Sequence, residues 1–436
     1  VKFPLFFPPR RVRVRPRLAR AFLRPWVPVL ARAVLPLYLR LLGYSGMKIE
    51  GKEEARRLWR DFYAGKNRVI LTFRHALGND PQLTAAAVLR GVPKGFTQFV
   101  HGVEVGWWAG ALARWIIPRS GGIGVDHDAL GTASLQAIRT ALVSGAHPLA
   151  LAPEGQVTYE SRTVQRVQPG AVRLGFLAAE DLAAAGKPVP VLVVPLSLFH
   201  VYPRGTDLRV ARAVADLELA VLGATSEGAL WQRLLRLRDG LFLQAEEWYS
   251  QRHRHPASTL PWSKERLLPL LEAALTAGED LLGLTHEGEF FTRMYRVRSH
   301  CWTRFIPDAD RWESLTTLGK GFASRSFTEA WAAFRHLELA DIGWYLFSTD
   351  PHADSDTAYL ADFTENLYDV VNRLMGGNIS HRRVLFPRSV RVIFGSPLDL
   401  TARLDDYRRA KKDTVVRTLK ELVESWTKTA EEYSHE

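Results

Sequence analysis

Three short runs fix the class of fold open to this chain. Arg68 to Phe73 (Arg-Val-Ile-Leu-Thr-Phe), Pro148-Leu-Ala-Leu-Ala152 and Val189 to Phe199 are apolar almost throughout and rich in β-formers. A strand wetted on one face alternates apolar with polar residues, whereas continuous apolar runs of this length suit strands covered on both faces. Between them lie stretches of helical patterning, Ala129 to Val143 and Gly170 to Ala185. Strands separated by helices predict an α/β domain, a mixed sheet flanked by helices.

After Gly205 the pattern changes. Leu230, Leu234, Leu237, Leu241, Ala245 and Trp248 recur at helical spacing, and a second stripe holds Leu267, Leu270, Leu271 and Leu275 behind Ser263, a side chain suited to an N-cap. A third runs through Tyr359, Phe363, Leu367, Val370 and Leu374 and stops at Gly376-Gly377. A β-like segment returns at Ser389-Val-Arg-Val-Ile-Phe-Gly-Ser-Pro-Leu398, followed by a helix carrying Val416, Leu419, Leu422, Val423 and Trp426. The expected organisation is a basic arm at 1–44, an α/β domain at 45–215, a large helical insertion at 216–387, and a strand and helix at 388–436 that complete the α/β domain.

Charge is concentrated at one end. Residues 1–49 carry eleven Lys or Arg and no acid, Glu50 being the first, so of the formal +12 only about +1 belongs to the rest. A body so balanced lacks the basic surface that nucleic-acid binding requires. Within the arm, Arg10, Arg11, Arg13, Arg15, Arg17, Arg20 and Arg24 precede apolar residues broken by Arg32 and Arg40. No uncharged run approaches the roughly 20 residues of a membrane span, and Pro25, Pro28 and Pro36 are expected to interrupt a long helix. The composition predicts an amphipathic segment whose arginines meet lipid phosphates while Phe22, Trp26, Leu30 and Leu37 enter the acyl boundary. The expected location is the cytoplasm, peripheral to the membrane. A solvated basic tail and a removable targeting peptide are the alternatives. The single cysteine, Cys301, excludes an internal disulfide framework and reads as an inert, partly buried thiol.

The chemistry concentrates in three places. The first strand exits into Arg74-His75-Ala-Leu-Gly-Asn-Asp80-Pro81, with a histidine and an aspartate five apart. One turn can bring them together, so that the imidazole takes a proton from an attacking hydroxyl while the carboxylate fixes its tautomer. The second is Pro153-Glu154-Gly155 at the end of the next apolar run, and the third is Gly121-Gly122-Ile123-Gly124-Val125-Asp126-His127, whose glycines do not satisfy the dinucleotide fingerprint. The histidines at His253, His255 and His286 lack metal-ligand spacing, and no metal is expected. Trp107 and Trp108 suit core packing, the lining of an apolar tunnel or contact with lipid.

In order and spacing these blocks resemble the glycerolipid acyltransferase family, which includes the lysophosphatidic acid (1-acylglycerol-3-phosphate) acyltransferases. His75 and Asp80 match its H-x-x-x-x-D motif, Gly122 to His127 its second block, Pro153-Glu154-Gly155 its Pro-Glu-Gly block, and Val194-Pro195-Leu196-Ser197 its last apolar-proline motif. The resemblance covers about 45–215 and 388–430. It implies transfer of a fatty acyl group, from a thioester on coenzyme A or acyl carrier protein as co-substrate, to a hydroxyl of a lysophospholipid or related glycerolipid, in membrane phospholipid biosynthesis. His75 is then the general base oriented by Asp80, and Glu154, Gly155, Gly122, Asp126, His127, Arg119 and Pro195 contact substrate; no resident cofactor is implied.

Two departures bear on the acceptor. Where the family usually carries arginines after the aspartate of its second block and in Glu-Gly-Thr-Arg, this chain has His127 and Val157. A phosphate clamp needs fixed cationic donors; Arg119, Arg162 and Arg166 are the nearest substitutes in sequence. The competing readings are a hydrolase using the same pair on water, without a Gly-x-Ser-x-Gly elbow, and a non-catalytic membrane adaptor.

Overall fold

The computed structural model describes residues 24–105, 110–126, 131–253, 258, 262–307, 309–346, 350–377 and 382–434. The chain divides into two compact units, one comprising Ala19–Val201 with Pro387–Glu436, the other built on Tyr202–Phe386.

The first unit is α/β. Its elements in chain order are α1 (Trp26–Leu41), β1 (Tyr44–Glu50), α2 (Lys52–Tyr63), β2 (Arg68–Phe73), α3 (Asp80–Gly91), β3 (Gln98–Gly102), α4 (Gly110–Arg119), β4 (Ile123–Val125), α5 (Thr132–Ser144), β5 (Leu149–Leu151), α6 (Gly170–Ala184) and β6 (Val191–Val201). The strands form one mixed sheet of eight, in the order β1-β7-β6-β2-β5-β3-β4. Here β7 is Arg388–Phe394, and β8 (Leu398–Asp399) pairs with β6. β6, β2, β5, β3 and β4 run parallel, so the loops after β2, β3, β4 and β5 leave at the same edge. β7 lies antiparallel to β6 and parallel to β1.

Burial explains why the central strands read as continuous apolar runs. Ile70, Val191 and Val193 join the core on one face with α5, α6 and the C-terminal helix. Val69, Leu71, Val194 and Leu196 join the other, with α2 and α3. In that C-terminal helix, Lys411–Ser434, Leu422 and Trp426 are buried as expected. Val415 is buried and Val416 exposed, one position from the expected register.

The described part of the basic arm is not separate from this unit. α1 packs against α3 and β1, with Val27 buried against Leu89 and Phe96. Pro36 lies inside the helix without ending it; the lost hydrogen bond is offset by the contacts of Val27, Ala31 and Leu35 on the inner face. Arg32 donates to the carbonyl of Leu89 at 3.3 Å. Trp26, Val29, Leu30, Val34, Leu37 and Leu41 are exposed. The helix is therefore apolar on two sides: Val27, Ala31, Leu35 and Leu39 face inward, and a second apolar stripe is turned outward. Phe22 and Arg10 to Arg20 lie outside the described residues. Among the described residues no helix is long and apolar enough to cross a membrane.

The second unit is helical: α7 (Thr206–Val221), α8 (Leu230–Arg252), α9 (Lys264–Leu282), α10 (Phe290–Phe305), α11 (Ala309–Ser314), α12 (Thr317–Tyr345) and α13 (Thr357–Leu374). α7, which the sequence divided between two domains, belongs here because it packs on α13 and α8. Ser263 caps α9 by accepting from the Arg266 N–H. The leucines predicted for α8 and α9 are buried from Leu234 to Leu241 and from Leu267 to Leu275. At the ends of two stripes the expectation fails: Trp248 is exposed and Tyr249 takes the inward place, and Leu374 is also exposed. A helix at 3.6 residues per turn drifts off a fixed stripe. Between α12 and α13, Arg373 is buried with Glu338, Asp341 and Asp369 at 2.8, 3.3 and 3.1 Å.

Candidate functional site

The candidate site lies at the carboxyl edge of the parallel strands, the edge at which open α/β sheets bind ligands. β2 ends at Phe73, and the Arg74 N–H prolongs its ladder by donating to Leu196 O at 3.2 Å. The chain then turns so that the Leu77 N–H donates to Asp80 Oδ2 at 2.6 Å, while the Asp80 N–H donates back to Leu77 O at 3.1 Å. Asp80 opens α3 with Pro81 behind it. A carboxylate is favoured at that positive helix end, and proline costs no hydrogen bond there.

This turn brings His75 Nδ1 to 3.7 Å from Asp80 Oδ2, with the aspartate side chain 1% exposed and the imidazole 19%. The separation is longer than a hydrogen bond. Pairs of this kind are often long in the free enzyme and tighten when substrate binds. Burial pushes the Asp80 carboxyl above its ordinary range, and the neighbouring imidazole pulls it back. An ionised Asp80 is thus most favoured when His75 carries the positive charge, as a general base does after taking a proton.

Glu154 is close to this pair and enclosed by protein. Its side chain is fully buried: Oε1 accepts from Arg74 Nε at 2.7 Å and Oε2 accepts from the His75 N–H at 2.5 Å. Gly155 makes the following turn at φ 77°, with its N–H on Ala152 O. Gln156, Val157 and Thr158 are buried, so Val157 offers no cation to an acceptor. Arg162 and Arg166 lie half-buried on the loop that follows.

The glycine block is placed apart. β4 is the third strand from β2, a distance of roughly 14 Å at about 4.8 Å per strand. Gly122 is a packing glycine, since a Cβ there would meet Ile117 Cγ2 at 2.9 Å and its N–H already donates to Ile117 O. Asp126 is partly exposed just beyond β4. Arg119 folds its guanidinium over the Trp115 ring at 4.8 Å and donates to Trp115 O. Pro195 is buried in β6, where its carbonyl accepts from the Gly395 N–H at 2.8 Å. His127, Trp107, Trp108 and His255 lie outside the described residues.

Of the predicted residues, the fold thus draws together His75, Asp80, Glu154 and Gly155. Sequence reasoning assigned no role to Arg74, whose only sequence signal is its place beside His75. It also passed over His101, half-buried on β3 with Nδ1 2.8 Å from Gly102 O, where desolvation pushes its pKa down. Among the described residues no group of three His, Cys, Asp or Glu side chains is arranged to hold a metal ion. Comparison with protein-family models finds none that matches the chain, and comparison with curated proteins finds no matching relative.

Proposed function

We propose that the protein is an acyltransferase that moves a fatty acyl group from a thioester to a hydroxyl of a lysophospholipid or related glycerolipid, with His75 as general base. One observation carries this reading: an imidazole retaining some exposure at the carboxyl edge of the sheet, with Nδ1 3.7 Å from a buried carboxylate. With Nδ1 turned to Asp80, Nε2 is the nitrogen left for the acceptor. It takes the proton as the hydroxyl oxygen attacks the thioester carbonyl; the tetrahedral oxyanion collapses, the C–S bond breaks, and the imidazolium returns the proton to the departing thiolate. Backbone N–H groups are the natural donors to the oxyanion. The acceptor does not depend on a cation at position 157, where the side chain is a buried valine.

The lipid acceptor is consistent with the outward apolar stripe of α1. Leu112 and Trp115 of α4 are also exposed, and Trp115 lies 5.5 Å from Trp26. Arg24 and Arg40 lie at the two ends of α1. An apolar face bordered by arginines suits the interface of an anionic bilayer.

The test is product analysis with a labelled acyl thioester, supplied on coenzyme A or acyl carrier protein, and a panel of lysolipids. Label in a diacyl lipid supports transfer, label in free acid makes the protein a hydrolase, and no turnover leaves the adaptor reading. His75→Ala is expected to lower turnover roughly 10²- to 10⁴-fold with the fold retained.

A further inference from the structure

Asp80 holds the ring of His75, but a second device holds its backbone. Glu154 bridges the His75 N–H and the Arg74 guanidinium at 2.5 and 2.7 Å, with both side chains 2% exposed or less. Arg74 reaches onward to the carbonyls of Glu160 and Thr163 at 3.1 and 2.9 Å. From the same loop the Thr158 N–H donates to His75 O at 2.8 Å, and the Tyr159 N–H donates to Ala76 O at 3.0 Å. The loop adopts strained backbone to make these links: Tyr159 has φ 60°, a left-handed conformation that costs a residue bearing a Cβ. Such strain persists where the surroundings over-determine it, and it clusters at functional sites.

We infer that Arg74 and Glu154 are positioning residues for the His75 base rather than substrate ligands. The inference rests on the acyl-transfer reading. Both acceptor atoms of Glu154 are occupied by protein donors, and its burial bars an acceptor lipid. What the carboxylate does control is where the His75 backbone sits: it fixes the N–H on one side while Thr158 fixes the carbonyl on the other. Asp80 then needs only to select the ring orientation. Held at its backbone and its ring, the imidazole keeps Nε2 at one place, and the rate of proton transfer depends steeply on that placement.

The experiment compares the full-length protein with Glu154→Gln, Arg74→Met and the double variant Arg74→Met/Glu154→Gln. Turnover, KM for thioester and acceptor, and thermal midpoint are measured. The ¹⁵N–¹H spectrum of protein labelled only at its 13 histidines is recorded alongside, with the His75 amide identified by its loss in His75→Gln. In Glu154→Gln the His75 amide proton should move upfield as its charge-assisted bond is lost, and kcat should fall roughly 10- to 100-fold with both KM values within about twofold. The single variants leave one buried charge without its partner, so the double variant should regain thermal midpoint while its kcat stays low.

Wild-type kcat in Glu154→Gln overturns the inference, as does recovery of kcat together with the midpoint in the double variant, which would make the pair a purely structural one. An unmoved His75 amide overturns it as well. A wild-type protein that transfers no acyl group sinks the acyltransferase reading and the inference with it, whereas an active wild type with an equally active Glu154→Gln sinks the inference alone.

Discussion

Replacing Asp80 with asparagine isolates what the buried charge does. Asparagine keeps an acceptor oxygen for the Leu77 N–H, which now bonds Asp80 Oδ2 at 2.6 Å, so the turn and the ring orientation should survive. The negative charge is removed. In the wild type that charge lies 3.7 Å from His75 Nδ1, and with an effective dielectric of about 20 its attraction for an imidazolium is about 4.5 kcal/mol. Because the imidazole is partly exposed, this is a ceiling; at about 1.4 kcal/mol per decade it corresponds to at most roughly 10³ in rate. Steady-state kinetics on Asp80→Asn should therefore show kcat lower by roughly 10²- to 10³-fold with KM little changed.

Stability should move the other way. The carboxyl is held above its ordinary range by burial, with His75 opposing. A group whose native pKa is raised contributes stability that is fully present below its unfolded pKa and is lost as pH rises through the native value. Asparagine suffers no such loss. Asp80→Asn should therefore gain on the wild type in denaturant midpoint between acid and neutral pH. A variant that keeps wild-type kcat, or that loses stability at neutral pH while losing rate, would refute the assignment of Asp80 as the charge behind the base.

Three further outcomes follow from the structure. Arg373→Ala leaves Glu338, Asp341 and Asp369 facing one another in the helical unit and should cost about 3–5 kcal/mol in urea unfolding. Leu37→Glu with Val34→Glu places charge in the outward stripe of α1, where both residues are exposed; sedimentation with anionic vesicles should fall while the thermal midpoint holds, and equal sedimentation would remove the lipid-contact proposal. His336 is pushed down to about 4 by burial, with its Nδ1 2.7 Å from the Tyr249 hydroxyl. It contributes stability at neutral pH that is lost as pH falls from the ordinary histidine value toward about 4, and His336→Gln should flatten that part of the acid-unfolding curve.

Much of the fold was legible in order of sequence. β2, β5 and β6 stood out because strands covered on both faces are apolar at nearly every position, and α9 stood out because Leu267, Leu270, Leu271 and Leu275 face one way. The His75–Asp80 turn could be read because both residues lie within one loop and its following helix turn. β3 and β4 were not legible: five and three residues long, they exist through pairing with neighbours and carry too few side chains for a period to appear.

The sequence turned Trp26, Leu30 and Leu37 of α1 outward, and they are exposed, yet it did not show that the helix docks by another face, since that depends on Leu89 and Phe96 arriving from elsewhere in the chain. Glu154 shows the division best. Its local motif marked it as functional, but whether its carboxylate meets a ligand or the protein depended on Arg74 and His75, some eighty residues earlier. Local chemistry follows from neighbours in sequence. Which charges are buried, and against what, is decided only when distant segments pack and each polar group must find a partner away from water.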